Sequence, residues 1–188
     1  LSSPIGAELG GAAPPRYLCR AMSPARSYAL LVLALSAATV GTALASQHWG
    51  GLQPCMLCLY ERWPYYAAAA LTLLAAFAGD RATTPWVLAL CALIYAGGAV
   101  LAFYHVGVEQ HWFQGPTTCS GAAAAADSVE ALKAQILGQK PVRCDEIPWS
   151  LFGISLAGWN FLVQLGLVAV CLYAFQRLRS PLRRPAAA

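Results

Sequence analysis

An all-α integral membrane protein, a bundle of four transmembrane helices, is the fold class this sequence predicts, and three observations predict it. Hydrophobic residues make up 59% of the 188 and charged residues only 11%, where a soluble domain carries about a quarter charged. The apolar residues are gathered into four blocks near the roughly 20 residues that a helix needs to cross a bilayer. The basic residues favour one side of those blocks. Arg16, Arg20 and Arg26 precede the first, Arg81 follows the second, and Arg177, Arg179, Arg183 and Arg184 follow the fourth. The other side holds Arg62, Lys133, Lys140 and Arg143, outnumbered by Glu61, Glu109, Asp127, Glu130, Asp145 and Glu146. The positive-inside rule then puts both termini in the cytoplasm and turns the first and third connections outward.

Residues 1–21 are rich in Gly, Ala and Pro and lack a starting Met. They are expected as a disordered extension or an expression remnant outside the fold. A membrane domain is expected over 22–180, with 181–188 as a cytoplasmic tail. The first span runs from about Ser27 to Ala45 without a charge and reads as a retained helix rather than a cleaved signal peptide. The second runs from Trp63 to Gly79, and Gly79 to Thr84 form a tight cytoplasmic turn. The third runs from Pro85 to about Val106, with Pro85 suited to a first helical turn. The fourth runs from Trp149 to Phe175. Gly97, Gly98, Gly153, Gly158 and Gly166 fall inside these spans, where small residues let helices approach closely.

The first outward loop, about Ser46 to Arg62, is flanked by Trp49, Tyr60, Trp63, Tyr65 and Tyr66, aromatic residues of the kind that anchor at the headgroup level. The second, about Gly107 to Pro148, is the longest polar region. Within it Asp127 and Glu130 form a capping-box-like pair ahead of Val129, Leu132 and Ile136 at helical spacing, which predicts a short surface helix. Gly138 and Pro141 end it.

Four of the seven cysteines lie in these outward loops: Cys55, Cys58, Cys119 and Cys144. An even set on the oxidising side of a membrane reads as two disulfides, for which three pairings exist. One reading makes both bonds structural staples. A two-residue spacing removes little chain entropy, so Cys55-Met56-Leu57-Cys58 is a poor staple but well suited to rapid exchange. Zinc is disfavoured because Cys119 and Cys144 lack a matching close spacing, and c-type haem is excluded because Leu59, not His, follows Cys58. Arg62, four residues after Cys58, would share a helix face with it and favour its thiolate; the plainer reading is a snorkelling side chain. His105 falls near the outer end of the third span, where an ordinary interfacial role competes with one at the dithiol. Cys91 and Cys171 read as small core residues.

Four spans, an outward Cys-x-x-Cys followed by Tyr60-Glu61-Arg62, and a cysteine pair in the second outward loop resemble the DsbB family, the bacterial disulfide-bond formation protein B. The resemblance covers about Tyr28 to Phe175. It is most specific over Pro54-Cys55-Met56-Leu57-Cys58-Leu59-Tyr60-Glu61-Arg62 and Trp149-Ser150-Leu151-Phe152-Gly153-Ile154-Ser155. It implies an inner-membrane enzyme that reoxidises a DsbA-like periplasmic thioredoxin-fold protein and passes the electrons to a membrane quinone, ubiquinone or menaquinone. Carried over by position, Cys119–Cys144 and Cys55–Cys58 are the two redox couples. Cys119 is the cysteine attacked by the reduced partner, Cys144 then attacks Cys55, and Cys58 is left as the thiolate facing quinone. Arg62, His105 and Glu61 are implied at the quinone, and Pro116, Thr117 and Thr118 in the partner's groove ahead of Cys119. Neither a metal nor a nucleic-acid partner is implied. A DsbI-like or vitamin K epoxide reductase-like oxidase for a dedicated partner, or a disulfide-stapled scaffold without turnover, are the competing readings.

Overall fold

The computed structural model describes residues 22–79, 81–116, 129, 133 and 142–180. Helix α1 spans Pro24–His48. Ser23 caps it by accepting a hydrogen bond from the Arg26 amide at 3.3 Å, and Pro24 occupies the first turn, where no amide donor is needed. A single-turn helix α2, Met56–Tyr60, follows the first loop, and α3, Trp63–Ala78, follows after two residues. Gly79 ends α3 in the left-handed region at φ 62°, its amide bonded to the Ala75 carbonyl. Helix α4 spans Thr84–Glu109 with Pro85 in its first turn, as expected. The last helix, α5, spans Leu156–Arg179.

The fourth span differs at its start. Trp149 to Ser155 are not helical: strand β1 (Ser150–Leu151) pairs antiparallel with β2 (Ile154–Ser155). The two residues between them, Phe152 at φ 53° and Gly153 at φ 78°, both take positive φ. That is the requirement of a tight hairpin turn and is incompatible with a right-handed helix. Gly153 is therefore a turn glycine rather than a packing glycine. Ser155 then caps α5 by accepting from the Gly158 amide at 3.1 Å.

Among the described residues three helices, α1, α4 and α5, are long and apolar enough to cross a membrane. Helix α3 has 16 residues, about 24 Å at 1.5 Å per residue, short of the roughly 30 Å hydrocarbon core. The outer surfaces carry large exposed apolar side chains, among them Phe77, Leu93, Val100 and Leu74, an arrangement suited to lipid and costly in water. Inside, α4 packs most extensively on α5, and α1 on α3. Val32, Tyr65, Leu88, Tyr95, Leu167 and Cys171 meet in the core, where Tyr95 and Ser36 share a hydrogen bond at 2.5 Å. Gly98 is the glycine on which helix approach depends: a Cβ there would fall 1.9 Å from the Gln164 side-chain oxygen. Of the anticipated surface helix, Val129 and Lys133 are helical, and Asp127, Glu130, Leu132 and Ile136 lie outside the described residues.

Candidate active site

The site forms where the α2–α3 junction meets the outer ends of α4 and α5. Cys55 is the N-cap of α2, so its sulphur accepts the Cys58 amide at 3.2 Å, and the two sulphurs stand 2.8 Å apart. Both thiols are free. His105, buried on α4, brings Nε2 to 3.6 Å from Cys55 Sγ. Its Nδ1 lies 2.7 Å from Oε1 of buried Glu61. Glu61 Oε2 accepts from Asn160 Nδ2 at 2.6 Å, and Asn160 Oδ1 accepts from the Tyr65 hydroxyl at 2.5 Å. A continuous hydrogen-bonded chain thus runs Cys55–His105–Glu61–Asn160–Tyr65 across three helices and the α2–α3 junction.

At this distance the two sulphurs of the reduced dithiol are hydrogen-bonded and titrate as a pair. Cys55 Sγ accepts the Cys58 amide, faces the His105 imidazole and donates to Cys58 Sγ. The Cys58 hydrogen bond is the largest influence holding the Cys55 thiol down, to about 4; burial opposes it and His105 assists. The same hydrogen bond, together with burial, pushes Cys58 well above the ordinary thiol range. The two sulphurs and the imidazole nitrogen lie within 4.8 Å of one another. The sulphurs are nevertheless closer than the roughly 3.8 Å that two thiolates keep on a tetrahedral ion with 2.3 Å bonds. The donor set reads as a dithiol beside a base.

Arg62 does not share a helix with Cys58, because α2 ends at Tyr60 and Arg62 caps α3. Both its terminal nitrogens donate to Gln47 Oε1 on α1 at 3.1 Å. Cys58 and Arg62 still converge, since both line a cavity of about 720 Å³, within the size range of small-molecule sites. Apolar residues of α1 and α5, such as Leu35, Val40, Val163 and Leu167, form most of its wall. Cys58, Glu61, Arg62, Tyr65 and Asn160 supply polar groups. On the other side of the dithiol a space of about 20 Å³ is bounded by Cys55, Cys58, His105, Glu109, Arg143 and Glu146, among others. That is room for about one water. Glu109, one turn beyond His105, is buried and accepts a hydrogen bond from Ser155 Oγ.

Cys144 is buried in one cluster with Cys55, Leu57 and Val108. It is disulfide-bonded. Beside it, Arg143 pairs with Asp145 at 2.6 Å and lowers that carboxyl. Pro116 is exposed, whereas Thr117, Thr118 and Cys119 lie outside the described residues. Cys91 and Cys171 are free and buried in the helix core, as expected.

Tyr65 corrects one reading: it is buried, 2% exposed, within the bundle, while Trp49, Tyr60, Trp63 and Tyr66 face outward. Its hydroxyl is satisfied by Asn160, which lets a polar ring enter the core. Sequence reasoning passed over Asn160, Glu109 and Ser155. Asn160 carried a usable signal, an amide in an otherwise apolar span.

The family described as "Disulfide bond formation protein DsbB" matches residues 25–174. A disulfide bond formation protein B of Verminephrobacter eiseniae is 34% identical over 163 residues, 81% of this chain and 87% of the relative. One of Marinobacter nauticus is 30% identical over 161 residues, covering 80% and 92%. One of Stutzerimonas stutzeri is 29% identical over 167 residues, covering 84% and 98%. No solved structure matches. With a family match across the helices that build the site, and relatives of the same kind spanning most of their length, this chain belongs to the DsbB family of disulfide bond formation proteins.

Proposed function

We propose that this protein is a thiol:quinone oxidoreductase of the bacterial inner membrane that reoxidises a DsbA-like periplasmic thioredoxin-fold protein. One observation carries the reading. Cys58 lines a large apolar cavity, while its partner Cys55 shares a buried cluster with disulfide-bonded Cys144. A dithiol so placed faces a lipid-soluble acceptor on one side and a second sulphur couple on the other. The topology that serves this has α3, extended by α2, as a fourth span, both termini in the cytoplasm and both catalytic loops in the periplasm.

In this mechanism the reduced partner attacks Cys119, with Pro116, Thr117 and Thr118 in its groove. The Cys119–Cys144 bond breaks and Cys144 leaves as a thiolate. Cys144 then attacks Cys55, whose burial beside it requires no large movement, and Cys58 is released. The cavity fits a quinone head and the start of its chain: apolar walls from α1 and α5, with Arg62, Glu61 and Cys58 at the polar end. A quinone bound there would supply a two-electron, two-proton sink. Arg62, held by Gln47, is positioned to stabilise negative charge at that end, and His105 holds a proton beside Cys55.

The test is to mix purified protein with a reduced DsbA-like partner and a soluble quinone, and to follow partner thiols. The expected result is thiol loss that requires quinone. A disulfide-stapled scaffold gives none, whichever quinone is supplied.

A further inference from the structure

We propose that the arginine-bearing end of the α4–α5 face binds one anionic phospholipid, its headgroup on Arg179 and an acyl chain along the outer stripe of α4. The site lies at the end of the bundle opposite the dithiol and stands whichever acceptor the dithiol serves. Arg179, in the last turn of α5, sets its guanidinium 4.9 Å from the ring centre of Trp86 and 5.2 Å from that of Phe175. The two rings meet edge to face at 5.7 Å, so α4 and α5 build the platform together. A cation over ring faces is held through its charge. The planar N–H fork is thereby left for an oxyanion, the group that arginine takes in bidentate fashion from a phosphate. Among the described residues the Arg179 side chain makes neither a hydrogen bond nor an ion pair.

Charge at this end is uncompensated. Arg26 at the start of α1, Arg81 before α4, and Arg177 and Arg179 at the end of α5 gather there. The described carboxylates, Glu61, Glu109, Asp145 and Glu146, all sit at the dithiol end. Beyond the platform, Leu90, Leu93, Gly97 and Val100 follow Trp86 at the spacing of one helix face. All are exposed, Leu93 by 71% and Val100 by 70%. At 1.5 Å per residue the stripe runs about 21 Å, which exceeds the roughly 15 Å of hydrocarbon in one leaflet. Gly97 has open space where a Cβ would stand, so the stripe is notched between Leu93 and Val100, and a chain can lie against the backbone. An oxyanion fork continuous with an apolar track selects a lipid over a free phosphate. Unbalanced cations select an anionic headgroup over a zwitterionic one.

The test is native mass spectrometry of the full chain in a neutral detergent, with phosphatidylglycerol added beside phosphatidylcholine of the same acyl chains. The expected result is one phosphatidylglycerol retained in preference to phosphatidylcholine. Arg179→Ala lowers that retention by about fivefold or more. Trp86→Ala lowers it while every arginine stays in place, and Gly97→Leu lowers it by filling the notch. Arg26→Ala, which removes one charge at the same end, changes it least. Should Trp86→Ala fail to fold, Arg179→Lys carries the same test, because it keeps the charge and loses the planar fork; full retention in that variant overturns the proposal. Equal losses for Arg26→Ala and Arg179→Ala, with none for Trp86→Ala, overturn it in favour of diffuse attraction. Displacement of the lipid by inorganic phosphate alone overturns it in favour of a free anion. Paired chains in place of the lipid adduct overturn it in favour of a second copy on this face.

Discussion

Cys55 and Cys58 are chemically unequal although their sequence context is nearly symmetrical. One sulphur caps a helical turn and faces an imidazole; the other accepts from it and borders a cavity. The Cys58 hydrogen bond and His105 draw the Cys55 thiol down, while that same bond and burial raise Cys58. With its thiol held at about 4 rather than the ordinary 9, Cys55 is ionised at all pH values above that point and protonated only below it. Alkylation of the reduced, quinone-free protein should accordingly remain fast from neutral pH down to about 5 and fail as pH falls through 4, as mass spectrometry of the labelled peptide will show. Arg62 acts at the same scale through its charge. Arg62→Ala should raise the quinone concentration needed for half-maximal turnover at least tenfold, with little change in the partner requirement, about 1.4 kcal/mol for each factor of ten. An unchanged quinone requirement would leave Arg62 as the plain anchor that its place beside Gln47 also permits.

At the scale of elements, the α4–α5 pair sets the site because it carries His105 and Asn160 on facing helices. Their approach depends on Gly98, whose missing Cβ leaves room for Gln164, a fully buried side chain with no route to solvent. Gly98→Val should separate the helices and lower thermal stability by about 1–3 kcal/mol, the usual cost of overpacking. Its neighbour Gly97 has open space at the Cβ position, so Gly97→Ala should be near neutral; thermal melting of both variants in detergent compares them. The hairpin ahead of α5 matters for a similar reason. It ends at Ser155, whose hydroxyl caps α5 and bonds Glu109 on α4, so turn and helix pair are tied at one residue. The short span and tight turn of this region were not visible to hydropathy alone, which ran the fourth block back to Trp149. Positive φ at Phe152 and Gly153 is a conformational fact that apolar composition conceals.

For the molecule as a whole, the proposed function poses a problem of access. A periplasmic protein stays out of lipid and a quinone stays in it, so electrons must cross from one to the other through groups at the boundary. In the proposed relay the Cys55–Cys58 dithiol and the disulfide of Cys144, which shares a buried cluster with Cys55, do this by exchange of covalent bonds. Loss of the link between the couples should trap the first step. Cys144→Ser should accumulate a mixed disulfide between Cys119 and the partner, seen as a band on a non-reducing gel that reductant removes. Trapping through Cys55 instead would reverse the order of the relay.

Much of this was legible in the residues themselves. Hydropathy marks the apolar helices because lipid demands them. Arginine placement underlies the orientation proposed above. The spacing of Cys55 and Cys58, with Glu61 and Arg62 after them, marks the candidate site because chemistry that local needs its groups close in the chain. What the sequence could not determine is which distant residues complete the centre. His105, Asn160 and Tyr65 come from separate helices, and each alone resembles an interfacial or core residue. Only packing turned them into a hydrogen-bonded chain, because burial leaves a polar group no partner except those the neighbouring helices bring.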